Sequence, residues 1–160
     1  MSQRANALAD RIERGAEALA AFAESLTDAE WQTPVPGDGR TVGVMIHHVA
    51  SVYPIEIDLA RTIASGKPIE GVTWDVVAQM NAQHAREHAA AEKRASPDLL
   101  RRNSKVAADA VRAFTDVELD RAAAVSLNDG ATLTAQFIVE DHAVRHCFHH
   151  LARIRAALKR

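Results

Sequence analysis

The chain has 160 residues, 48% of them hydrophobic, which is enough to bury one core in a single domain spanning 1–160. Nineteen basic against 21 acidic residues give a formal net charge of -2, so nothing electrostatic favours nucleic acid or an anionic membrane as partner. There is no export signal, no uncharged run of roughly 20 apolar residues, and one cysteine, Cys147, which can form no intrachain disulfide; a cytoplasmic protein is expected.

Alanine is abundant and apolar residues recur at spacings of three and four, which predicts helix nearly throughout. Helix one is expected over about 3–26, with Leu8, Ile12, Ala16, Leu19 and Phe22 on one face. Thr27 and Glu30 form a capping-box pattern that opens a short extra turn. A loop with Pro34, Pro36, Gly37 and Gly39 leads to helix two, over about 41–64, where Pro54 is expected to kink or split the helix. Thr73 caps helix three, over about 74–93, and Ser96-Pro97 reads as a cap and first residue for helix four, which runs to about 114. Thr115 and Glu118 repeat the capping box, Asn128-Asp129-Gly130 marks a tight turn, and helix five covers about 134–158. The expectation is an all-α four-helix bundle with short extra helical turns. Both capping boxes lead through a glycine loop to a helix bearing paired histidines, an echo that fits either an old duplication or chance.

Eight histidines are the unusual feature. At about 100° per residue, Val44, Met45, Val52, Ile55, Leu59 and Ile63 fall within roughly 60° of His48, placing it on an apolar stripe. Alone, such a histidine reads first as a hydrogen-bonded core residue. His146 and His150 stand four apart on helix five, a spacing that lets two imidazoles share one ion. Periodicity puts His150 inside the apolar arc and His146 at its border, and leaves His142 and His149 facing water. His84 and His88, also four apart, are a rival pair: pocket lining, exposed face or ligands. Glu140 falls on the apolar arc as a partner for a ligand histidine, and Asn81, His84 and Tyr53 are candidates to line a pocket. Cys147 reads as an ordinary buried cysteine, and Trp31 and Trp74 as packing at the bundle's end. There is no Glu-x-x-His, no His-Glu-x-x-His and no phosphate-binding glycine loop, and no residue stands out as general base.

The segment Thr41-Val42-Gly43-Val44-Met45-Ile46-His47-His48-Val49-Ala50, with Arg145-His146-Cys147-Phe148-His149-His150-Leu151-Ala152-Arg153-Ile154, resembles the DinB/YfiT-like superfamily of metal-dependent enzymes. The likeness extends over nearly the whole chain, including Leu26-Thr27-Asp28-Ala29-Glu30-Trp31 and the glycine loop after it. It implies a four-helix bundle of DinB-like topology, with a divalent ion, zinc or nickel, on His48, His146 and His150. It also implies relationship to thiol-dependent S-transferases and to the N-terminal domain of the mycothiol-dependent maleylpyruvate isomerase. Pro54 departs from the pattern in the ligand-bearing helix.

Three neutral imidazoles leave a divalent ion with open positions, which suits either water activation or binding of a thiol as thiolate. The leading expectation is a low-molecular-weight-thiol-dependent transferase acting on a small molecule. The alternatives are a metal-dependent hydrolase and a non-catalytic metal-binding stress-response module. A homodimer is expected, since bundles of this size often pair through a helix face.

Overall fold

A computed structural model describes residues 2–160. Helix α1 (Gln3–Glu24) starts at Ser2, whose hydroxyl accepts from the Ala5 amide, and buries Leu8, Ile12, Ala16, Leu19 and Phe22 as its periodicity requires. The Thr27–Glu30 box caps the single turn of α2 (Asp28–Trp31). After the proline-glycine loop come α3 (Val42–Ala64), α4 (Trp74–Glu87), α5 (Ala95–Arg112) and α6 (Asp116–Asp120), the last opened by the second capping box at Thr115. Strands β1 (Ala122–Val125) and β2 (Ala131–Thr134) form an antiparallel hairpin, with Ala122 opposite Thr134 and Val125 opposite Ala131. Asp129 and Gly130 make its tip with left-handed φ values of 54° and 77°.

The final helical stretch is not uniform. It runs as α7 (Ala135–Ile138), a wider π segment (Val139–Val144) and α8 (Arg145–Leu158). The bundle consists of α1, α3, α5 and this stretch, with α5 packed between α1 and α3 and the C-terminal stretch closing against both. No helix among the described residues is long and apolar enough to cross a membrane.

Several details differ from the sequence expectations. Helix α4 ends at Glu87, buries no residue and lies beside the bundle; Trp74 at its start is 68% exposed, while Trp31 is buried. Trp31 Nε1 donates to the Ala91 carbonyl at 2.9 Å, and a Cβ on Gly43 would lie 2.2 Å from that nitrogen, so the indole requires glycine at the start of α3. Helix α5 begins at Ala95, one residue before Ser96, and Pro97 occupies the third helical position, where no intrahelical donor is needed.

Pro54 neither splits nor ends α3, which continues for ten residues beyond it. A proline at 54 cannot donate to the carbonyl of Ala50, four residues back. Asn103 on α5 takes over that bond, its Nδ2 donating to the Ala50 oxygen at 2.7 Å. Asn103→Leu should therefore destabilise the fold by about 1–2 kcal/mol by leaving that carbonyl unpartnered. In a Pro54→Ala background, where the helix supplies its own donor, denaturant unfolding should show a smaller loss; an equal loss in both backgrounds would refute the link.

The loop before α3 is held by Asp38. Arg40 donates to its two carboxylate oxygens through Nε and Nη2 at 2.6 and 2.9 Å, and Arg153 of α8 adds a contact at 3.2 Å. The Arg40 hydrogen bonds hold the Asp38 carboxyl down to about 2. Because the folded value lies below the unfolded one, the stabilisation is full above about pH 4 and is lost as pH falls towards 2. Asp38→Asn should cost about 1–2 kcal/mol at neutral pH and much less near pH 2.5, measured by urea unfolding across that range.

Candidate metal centre

His48 projects from α3, and His146 and His150 from successive turns of α8. Each offers a ring nitrogen within 4.8 Å of the other two. Ring centroids lie 5.0 Å apart for His48 and His146, 5.6 Å for His48 and His150, and 4.6 Å for His146 and His150. His48 and His150 are buried, while His146 sits at the rim. Burial, aided by the neighbouring imidazoles and by Arg40, pushes both His48 and His150 down to about 2. They are neutral near pH 7, with lone pairs open to a cation.

The stripe expected around His48 holds only in part. Ile55 is 43% exposed, and beyond Ala50 the buried face runs through Tyr53, Glu56, Ile57, Ala60 and Ile63. Glu56 is the functional residue that periodicity passed over. It is 6% exposed, and the Nδ1–H of His146 donates to its Oε1 at 2.7 Å. This bond fixes the His146 tautomer and leaves Nε2 free to bind an ion. The signal was present: a carboxylate inside an apolar helix, eight residues and about 80° from His48.

Glu140, expected to orient a ligand, instead pairs with Arg11 at 2.7 Å on the half-exposed surface. The error has a physical cause. A wheel drawn back from His146 at 100° per residue crosses the π segment, where the turn is wider and the phase slips. The same slip leaves His142 partly buried, with its pKa lowered by desolvation against the opposing pull of Glu56, while His149 is exposed as expected.

Three polar atoms around this cluster are buried without a hydrogen-bond partner: His150 Nδ1, Glu56 Oε2 and Arg40 Nη1. Arg40 also lines a cavity of about 660 Å³ walled by Gly37, Thr41, Val44 and Asn81, and its charge bears on both His48 and His150. Three imidazoles, one braced by a carboxylate, form a donor set that fits a divalent metal ion. Tyr53 is buried in the core, with its hydroxyl 2.9 Å from Cys147 Sγ. Burial drives the Cys147 thiol up to about 12, so the chain carries no reactive thiol of its own here.

His84 and His88 do not join this cluster. They meet His47, with one ring nitrogen from each again within 4.8 Å of the others.

Comparison with known proteins agrees with the fold. Among solved structures, YfiT from Bacillus subtilis, described as a probable metal-dependent hydrolase with an unusual four-helix bundle topology, superposes with a TM-score of 0.75. The two are 19% identical, over 99% of this chain and 89% of that one, so the likeness concerns the fold. No match is found among curated proteins. The family described as the DinB superfamily matches residues 11–154, and the chain belongs to it.

Proposed function

We propose that the chain is a divalent-metal-dependent enzyme with His48, His146 and His150 as ligands, a low-molecular-weight-thiol-dependent transferase that joins the thiol sulfur to an electrophilic carbon of a small anionic substrate, the thiol proton passing to solvent or to the product. The observation that carries this reading is the set of orphaned atoms. His150 Nδ1, Glu56 Oε2 and Arg40 Nη1 are all buried, all unpartnered, and gathered about one three-imidazole cluster. A folded interior rarely leaves such groups unpaired unless a ligand completes them. A bound divalent ion would supply Lewis acidity, favouring the thiolate form of a thiol and polarising a substrate carbonyl.

The chain's own residues would then divide the work. Glu56 holds the His146 ring in place by its 2.7 Å bond. Arg40, itself anchored by Asp38, lines the adjoining cavity and brings positive charge to a substrate carboxylate held there. Cys147 stays a packed thiol, so the reacting sulfur comes from outside.

A hydrolase is the second reading. The free Oε2 of Glu56 could accept a proton from an attacking water, and the related fold of YfiT is described as that of a probable metal-dependent hydrolase.

Glu56→Gln separates the two. It should weaken zinc binding by about 10–100-fold through the loss of a carboxylate partner to a ligand histidine. If Glu56 only braces His146, saturating zinc should restore turnover to the variant; if Glu56 is a base, kcat should stay low with zinc bound. His150→Ala should lose the ion at this cluster altogether, as measured by elemental analysis of the untagged protein. Metal-dependent consumption of cysteine, mycothiol or bacillithiol with an anionic electrophile supports the transferase reading. Metal-dependent ester or amide cleavage with no thiol requirement overturns it in favour of the hydrolase.

A further inference from the structure

We propose that His47, His84 and His88 form a second divalent-cation site, of the imidazole-binding zinc, nickel or cobalt class, beside the first and independent of it. His47 comes from α3, His84 from the last turn of α4, and His88 from the residue that caps that helix. The arrangement repeats the first cluster: one histidine of α3 faces a pair spaced four apart on another helix. His47 and His48 are neighbours in sequence and project about 100° apart, so each serves a different triad. The two groups touch where the rings of His48 and His84 meet edge to face, with centroids 5.5 Å apart.

The local geometry calls for a cation. The His47 and His88 rings stack at 4.1 Å between centroids, and His84 lies 4.6 Å from His88. His47 Nδ1 and His84 Nε2 are 2.9 Å apart, and Ser51 Oγ stands 3.2 Å from the same His47 nitrogen. One proton can satisfy the close pair of nitrogens, yet His84 Nδ1 is then left buried without a partner whichever tautomer forms. The C-terminus of α4 adds its carbonyl ends, whose partial negative charge favours a cation.

The position of α4 points the same way. It has no fully buried residue and exposes Trp74, Val76 and Met80, while Val77 packs half-buried against the core, so apolar burial holds it on the bundle only weakly. The histidine cluster is where it meets α3. A cavity of about 320 Å³ opens beside His47 and His88 and is edged by Glu92 and Ser96, which leaves room for water to complete the coordination. Because Asn81, Ala82 and Ala85 of α4 wall the larger cavity next to Arg40, an ion here would also fix that wall.

The test uses untagged full-length protein stripped with a chelator and titrated with zinc by calorimetry. Wild type should take up two equivalents, His88→Ala one, and His146→Ala one, and the His88→Ala/His146→Ala double variant none. His88→Gln, milder at a helix cap, should behave as His88→Ala. In wild type the second equivalent should slow amide exchange in α4, and in the His88 variants it should not. A wild-type stoichiometry that is unchanged in both His88 variants overturns the proposal. Loss of the His146-dependent equivalent alone bears on the first site and leaves this one standing.

Discussion

A carboxylate buried in an apolar helix is expensive unless something meets it, and Glu56 is met by a single imidazole. That one bond joins α3 to α8, the two helices that carry the first histidine cluster. It orients His146 and fixes which of its nitrogens stays open, while keeping the Glu56 charge from being stranded. His48 and His150 make the complementary arrangement: both are stripped of water and held neutral, so they supply lone pairs and no charge. The centre thus offers two desolvated imidazoles and one braced by Glu56, a nitrogen donor set suited to a divalent ion.

The remainder of the bundle serves to hold α3 and α8 in place. The N-terminal half of α3 is buried almost all round, with Val42, Met45, Ile46, Val49 and Ala50 packed on several sides of His48. Asn103 lets the helix pass through Pro54 without a break, so Glu56 keeps its phase relative to His48. The Asp38–Arg40–Arg153 contacts tie the loop before α3 to α8 from the opposite end. Three independent contacts from three parts of the chain therefore govern the same inter-helix geometry.

Much of this was legible in the sequence, because it depends on local chemistry. Both Thr-x-x-Glu boxes form as written, the hairpin turns at Asp129-Gly130, and the face of α1 buries the residues its spacing selects. Spacing puts His146 and His150 on one face of one helix and His48 on an apolar stripe of another; their grouping is what the family resemblance implies, and the three offer ring nitrogens within 4.8 Å of one another. Other features need tertiary information. Nothing local reveals that Asn103 will stand beside Ala50, or that His47 will face His84. Glu140 was misplaced because the periodicity was carried across a segment with a different pitch. Glu56 was overlooked because its partner lies ninety residues away.

The π segment at Val139–Val144 has a further meaning. A wider turn accommodates one residue more than an α-helix would over the same rise, so it acts as an angular offset between the two halves of the C-terminal stretch. Ala135 and Ile138 are packed on one side of it, and His150 and Ile154 on the other. Winding the same residues as a uniform α-helix, without the wider turn, would swing the histidine pair by about 100° if α7 kept its packing. The aim of His146 and His150 is therefore encoded in the length of the chain upstream of them as much as in their own identities.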